Sequence, residues 1–142
     1  MSLTTANSVI ALSFQGVFDT PQVLQGFSAD DIFDTADVSN AEVSMGIDGK
    51  LSYAFVPVAT VQTFTLQADS PSVAIFDTVI TAEKTAKEKF RVDGTITLPG
   101  LGVRYTMTNG VISSFTPVSG AKKSAQPRHF VVTWQDCIPT PI

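Results

Sequence analysis

The sequence has very little of what most chemical sites require. Its 142 residues include one cysteine, Cys137, and one histidine, His129. A lone thiol excludes an intramolecular disulfide framework, so packing alone must hold the fold, as suits synthesis in a reducing cytoplasm. One Cys and one His cannot supply a zinc set with the usual ligands, and no metal is assigned. The same shortage leaves His129 as the single base for any Ser-His-Asp arrangement, and no G-x-S-x-G elbow surrounds a serine. Gly100-Leu101-Gly102 opens like a dinucleotide fingerprint, but Tyr105 stands where the third glycine belongs. Asp30, Asp31, Asp34 and Asp37 lack the alternate spacing and glycine of a calcium loop and read as a solvated acidic stretch. No catalytic residue and no cofactor emerge, and the expectation is a protein that is not an enzyme.

Charge is also scarce. Charged residues make up 15% of the chain, with a net charge of -4 and a pI near 4.7. Neutralising phosphates needs clustered cations, so specific binding to nucleic acid is not expected. Long apolar runs are missing as well. The stretch from Tyr53 to Val61 is broken by Pro57 and Thr60, short of the roughly 18 residues of a membrane span. The opening residues carry no basic segment, and Asn7, Ser8, Ser13 and Gln15 break up the stretch to Gly16, so no secretory signal is read.

Apolar side chains, by contrast, are plentiful. They form 44% of the sequence, with a mean hydropathy of +0.22. A single domain of residues 1–142 leaves about a third of its unfolded-chain surface wet, so the surplus points to a surface shared with another protein. Charge is unevenly placed. Through Glu83 there are ten acidic residues against Lys50, and from Lys84 onward eight basic residues face Glu88, Asp93 and Asp136. Opposed surfaces meeting between copies would use such a split, whereas a fold that interleaves the halves would cancel it.

Alternation of period two dominates the chain. It marks strands over Val9–Phe14, Thr20–Leu24, Ala41–Met45, Leu51–Phe55, Val58–Ala68, Phe90–Leu98, Val103–Met107, Val111–Phe115 and Phe130–Trp134. Asp48-Gly49 and Asn109-Gly110 carry hairpin signals. Ile32, Phe33 and Val38 read as apolar anchors of the acidic stretch, and Pro139-Thr140-Pro141 as the end of regular structure. One segment reads as a helix of about three turns: Ser70 as N-cap, Pro71 first, Val73, Phe76 and Ile80 on one face. Lys84, Lys87 and Lys89 come after it, where cations favour the helix dipole. A helix that short suits the end or side of a sandwich. The expected class is all-β with one short α-helix, an antiparallel β-sandwich or barrel.

Three stretches taken in order, Gly26-Phe27-Ser28-Ala29-Asp30-Asp31, Ser44-Met45-Gly46-Ile47-Asp48-Gly49-Lys50, and Thr63 through the Leu66-Gln67-Ala68-Asp69-Ser70-Pro71-Ser72 run, resemble the tail tube proteins of contractile-tailed bacteriophages. The order of elements extends the resemblance over roughly residues 8–136. One departure is the apolar character of Leu51–Val61, a segment that is often polar and charged in that family. The resemblance implies a β-sandwich with a lateral helix, whose sheets join around a homohexameric ring into a β-lined channel. Stacked rings would form a tube in the virion tail, with sheath, baseplate and tape-measure proteins as partners. DNA would pass without specific binding, and neither cofactor nor membrane would be involved.

Candidate channel-lining or inter-ring acidic residues are then Asp30, Asp31, Asp34, Asp37 and Glu42, with Lys84, Lys87, Lys89, Lys122 and Lys123 as the complementary basic set. Two other functions fit the same composition. One is the tube subunit of a phage-like injection or secretion system. The other is a monomeric β-barrel that binds a ligand, favoured by ten phenylalanines but by no convergent polar group.

Overall fold

The computed structural model describes residues 6–27 and 32–142. The elements run β1 (Val9–Phe14), β2 (Phe18–Val23), β3 (Phe33–Thr35), β4 (Ala41–Met45), β5 (Leu51–Phe55), β6 (Thr60–Leu66), α1 (Val73–Ala86), β7 (Val92–Leu98), β8 (Val103–Phe115) and β9 (Arg128–Pro141). Seven strands form one antiparallel sheet in the order β2-β1-β7-β8-β9-β6-β3, while β4 and β5 pair only with each other. The two ends of the large sheet are different strands, so it is an open, sandwich-like fold and not a closed barrel.

Two long strands make one sheet behave as two layers. β8 and β9 pair along most of their 13 and 14 residues, but β7 follows β8 only to Gly110 and β6 follows β9 only from Arg128 to Trp134. One half-sheet is therefore β2-β1-β7 with the start of β8 and the end of β9. The other is the end of β8, the start of β9, β6 and β3. Both contribute to a single apolar core: Ile10, Leu12, Ile96 and Met107 from the first, Phe64, Ile112, Phe130 and Val132 from the second. Alternation along each strand produced these faces, as the sequence predicted.

The indole of Trp134 lies between the halves. A methyl group on Gly110 would come within 2.4 Å of its Cε3, and one on Gly94 within 3.4 Å of its Cη2. Its Nε1–H donates to Gln62 Oε1 at 2.9 Å, which satisfies two buried polar groups at once. Helix α1 closes one end of the sandwich. Phe76 stacks on Phe130 at 4.3 Å and meets Phe14 edge-on at 5.7 Å, one partner from each half-sheet.

Four local expectations need correction. The helix begins at Val73, after Ser72, and spans 14 residues. Ser70 and Ser72 tie down the exit from β2: the Ser70 hydroxyl donates to the Gln25 carbonyl and accepts the Ser72 N–H at 3.2 Å, and Ser72 Oγ accepts the Gln25 N–H at 2.7 Å. Asn109-Gly110 is no hairpin. β8 runs straight through it with Asn109 at φ 51, its N–H held by Asp93 Oδ1 at 3.0 Å, because only a residue without Cβ fits under Trp134. Regular structure also continues through Pro139 and Pro141. Ile142 N–H points to Gly102 O on the β8 side, so the odd-numbered prolines face the opposite, unpaired edge, where a missing donor costs nothing. Finally, Phe33–Thr35 forms a short strand, and Val38 stays exposed instead of anchoring the acidic stretch.

Gly110→Ala should lower stability by about 1–3 kcal/mol, the usual cost of forcing atoms into a packed core. Urea unfolding followed by Trp134 fluorescence checks this, and an unchanged midpoint would show that the strands part easily around the indole.

Candidate assembly surface

The separate hairpin leaves the body between β3 and β6. At its root, Ala36 N–H bonds Val61 O at 2.9 Å and Val56 N–H bonds Asn40 O at 2.8 Å, so the arm continues the β3–β6 ladder outward. At its tip, Gly46 and Lys50 pair through a 2.8 Å bond, Gly49 adopts φ 84, and Asp48 Oδ1 accepts the Lys50 N–H at 3.2 Å. The Asp-Gly pair thus turns the chain as the sequence predicted.

Register then decides the chemistry. Ala41 faces Phe55, Val43 faces Tyr53 and Met45 faces Leu51, while Glu42 faces Ala54 and Ser44 faces Ser52. Side chains on directly opposed residues share a face, so one side of the arm is wholly apolar and the other largely polar. No residue of either strand is buried, and Tyr53 and Phe55 are 79% and 75% exposed. The six apolar side chains offer on the order of 500 Å² of contiguous surface, at the upper end of what a monomer leaves open.

Beside the root, the sandwich is open at the end away from the helix. Phe33, Gln62, Ile96, Leu98, Tyr105 and Cys137 line a slot of about 320 Å³ between the half-sheets. An adjoining hollow of about 520 Å³ lies between the arm's root, at Val38, Phe55 and Pro57, and the unpaired edge of β9 at Gln135–Cys137. Burial, then the negative charge of Asp136, raises the pKa of the Cys137 thiol above its ordinary value.

The acidic candidates are spread along one path. Asp34 lies on β3, Asp37 in the arm's root and Glu42 on the polar face of β4, all exposed, whereas Asp30 and Asp31 lie outside the described residues. Of the basic set, Lys84, Lys87 and Lys89 gather at the helix end around a hollow of about 280 Å³ floored by Ile80 and Phe115. Lys89 is already engaged, with Nζ 3.5 Å from Glu83 Oε1 and 3.0 Å from the Ile112 carbonyl on the open side of β8. Lys122 and Lys123 sit apart from that hollow, in the loop between β8 and β9.

The charge asymmetry of the sequence is partly cancelled by folding. Asp77 takes a bidentate pair from Arg128 at 3.0 and 2.8 Å, and the Arg128 guanidinium, buried over the Phe130 ring, also donates to Thr116 O at 2.9 Å. Reading Arg128 as one of a basic half missed this role, because the partners are 51 residues apart. Every lysine, moreover, lies in a turn, a loop or the helix, and no strand contains one. Among the described residues, no three His, Cys, Asp or Glu side chains group to hold a metal ion, and no helix is long and apolar enough to cross a membrane.

Chains of similar fold occur in structures of contractile injection systems. A chain in the sheath/tube terminator of an extracellular contractile injection system, PVC, superposes with a TM-score of 0.68 at 13% identity, over 99% of this chain and 97% of that one. A chain in the tube-terminating cap of the anti-feeding prophage gives 0.62 at 14% identity, over 100% and 93%. A chain in the PVC sheath-tube complex gives 0.57 at 17%, over 94% and 88%. No curated protein matches the sequence. Residues 2–138 match the family described as tail fiber protein gp32, and the chain belongs to that family. It is a tail-related structural protein; the tail-tube resemblance holds as far as tail-related assemblies, and the family shown is a tail fiber protein family and not specifically a tube family.

Alkylation of Cys137 by iodoacetamide should be slower at mildly alkaline pH than that of a free small thiol. A raised pKa leaves less thiolate at a given pH, so the rate should keep climbing beyond the point where an ordinary thiol levels off. A plateau at or below the ordinary thiol range contradicts the burial of this side chain.

Proposed function

We propose that this chain is the subunit of a tail tube, assembling into stacked hexameric rings through which DNA passes during genome delivery. The apolar face of the β4–β5 arm carries this reading: a hairpin that buries nothing in its own subunit is stable and soluble only if it packs against another. In this proposal the sheath, baseplate and tape-measure proteins are the remaining partners, and the virion tail is the location.

The outer face of the large sheet around β7, β8 and β9 suits a conduit wall. It presents Thr95, Thr97, Thr106, Thr108 and Thr133, with Asp93, Arg104 and Asp136 as charged neighbours and the apolar Val111 and Ile138 among them. Hydroxyls without lysine hold no phosphate chain tightly, so a passing duplex meets little electrostatic drag. This assigns the wall to threonines more than to the acidic set. Asp34, Asp37 and Glu42 then belong to contacts between rings, where Lys84, Lys87, Lys122 and Lys123 are their complement.

A second reading is a terminator or cap component, since structures of a tube terminator and a terminating cap contain chains of this fold. A tube subunit polymerises without limit, whereas a terminator stops at one ring. Negative-stain imaging of concentrated protein separates them by particle length.

Tyr53→Asp and Phe55→Asp should abolish rings and tubes while leaving the subunit folded, with stability within about 0.5 kcal/mol of the parent because both sites are on the surface. Sedimentation and circular dichroism read the two effects separately. Assembly that persists unaltered in these variants removes the basis of the proposal. Because the arm is apolar, rings should also survive about 1 M salt, where the Debye length falls to about 3 Å, while charge-paired contacts between rings weaken. Dissolution of the rings there would assign their assembly to charge pairing.

A further inference from the structure

We infer that the arm of one copy seats its apolar face over the open slot of the next, with Tyr53 and its neighbours covering the half-buried Phe33, Tyr105 and Cys137 above a floor of Ile96 and Leu98. This rests on the reading of the arm as an assembly element and names its acceptor. The slot is the counterpart of the end closed by α1. There, Phe76 bridges Phe14 and Phe130 of the two half-sheets. At the open end, Leu98 and Phe33 stand on opposite half-sheets with about 320 Å³ between them and no described side chain filling it. An apolar gap between two layers calls for an apolar plug.

The arm of the same copy cannot supply it. Its root bonds, Ala36 to Val61 and Asn40 to Val56, carry the ladder past the slot. Five-residue strands then place Met45 and Leu51 about 17 Å further out. Returning would require the ladder to reverse at its hydrogen-bonded base. A second copy meets no such constraint. Its arm offers on the order of 500 Å² of apolar surface, a large part of the roughly 800 Å² that each partner buries in a standard interface. The adjoining unpaired edge of β9 adds backbone groups at Gln135 where the arm can extend the contact, while the Cys137 N–H is held by Asp136 Oδ1 at 2.9 Å. Pro139 and Pro141 on the same edge withhold donors and confine any strand pairing to that short stretch.

Each copy contributes one arm and one slot, so the contact is heterologous. A bound pair still presents a free arm at one end and a free slot at the other, and the contact propagates until a ring closes or a filament grows.

Cys137 is the sole thiol of the chain and lies in the slot, so it reports the contact directly. Assembled full-length Tyr53→Cys protein, oxidised with copper phenanthroline and run without reductant, should give a ladder of dimers, trimers and higher species. Leu51→Cys serves as a second site in case loss of the tyrosine weakens docking. Adding Cys137→Ser should erase the ladder, and Ser44→Cys on the polar face should yield none. If particles form but neither arm cysteine links to Cys137, the arm docks elsewhere and this inference fails while the assembly reading stands. If the unaltered chain forms no particles at any concentration, both fail together.

Discussion

The packing of Trp134 against two glycines holds the architecture together. The indole rests on Gly110 of β8, reaches Gly94 of β7 and bonds Gln62 of β6, so one side chain links strands from both half-sheets. Gly110 lets the ring approach backbone closely, whereas Gly94 makes room mainly for Leu12, and Gln62 removes the cost of burying the indole N–H. The helix adds a second tie through Phe14, Phe76 and Phe130. Arg128 fixes that helix in turn, its guanidinium bound to Asp77 and laid over Phe130.

Two ties on the core side leave the other end of the sandwich open, and the arm projects beside that open end. The arm, the slot and the unpaired stretch of β9 are neighbours because β3 and β6 deliver the arm beside Thr60 and Trp134, where β6 stops covering β9. An isolated chain therefore carries an apolar projection, an apolar recess and a free strand edge together. Each is a liability in a monomer and an asset in an ordered assembly. Every lysine lies off the strands, and the arginines that the strands do carry are Arg104 on β8 and Arg128 on β9.

Much of the fold was legible in period-two alternation, because a sheet with one buried face writes its register into the sequence. The arm was legible too: Ala41-Val43-Met45, Asp48-Gly49 and Leu51-Tyr53-Phe55 gave its strands, turn and polarity. Its isolation was not, since the same alternation serves a strand in the core as well as one in solvent. Asn109-Gly110 misled for a related reason. The dipeptide tolerates positive φ equally in a turn and in a bulge, and only the distant Trp134 selects the bulge. Ser70 had the chemistry of a cap, but the tail of β2 claimed it.

By itself, then, the sequence determined the all-β class, the lone helix and the polarity of the arm's two faces, along with the shortage of groups able to do chemistry. These properties depend on neighbours within a few residues and on composition. The tertiary structure decided which strands pair, that Arg128 is buried with Asp77, and that Phe33, Leu98, Tyr105 and Cys137 border one slot beside the arm. Such facts depend on contacts between residues far apart in the chain, which no local pattern encodes.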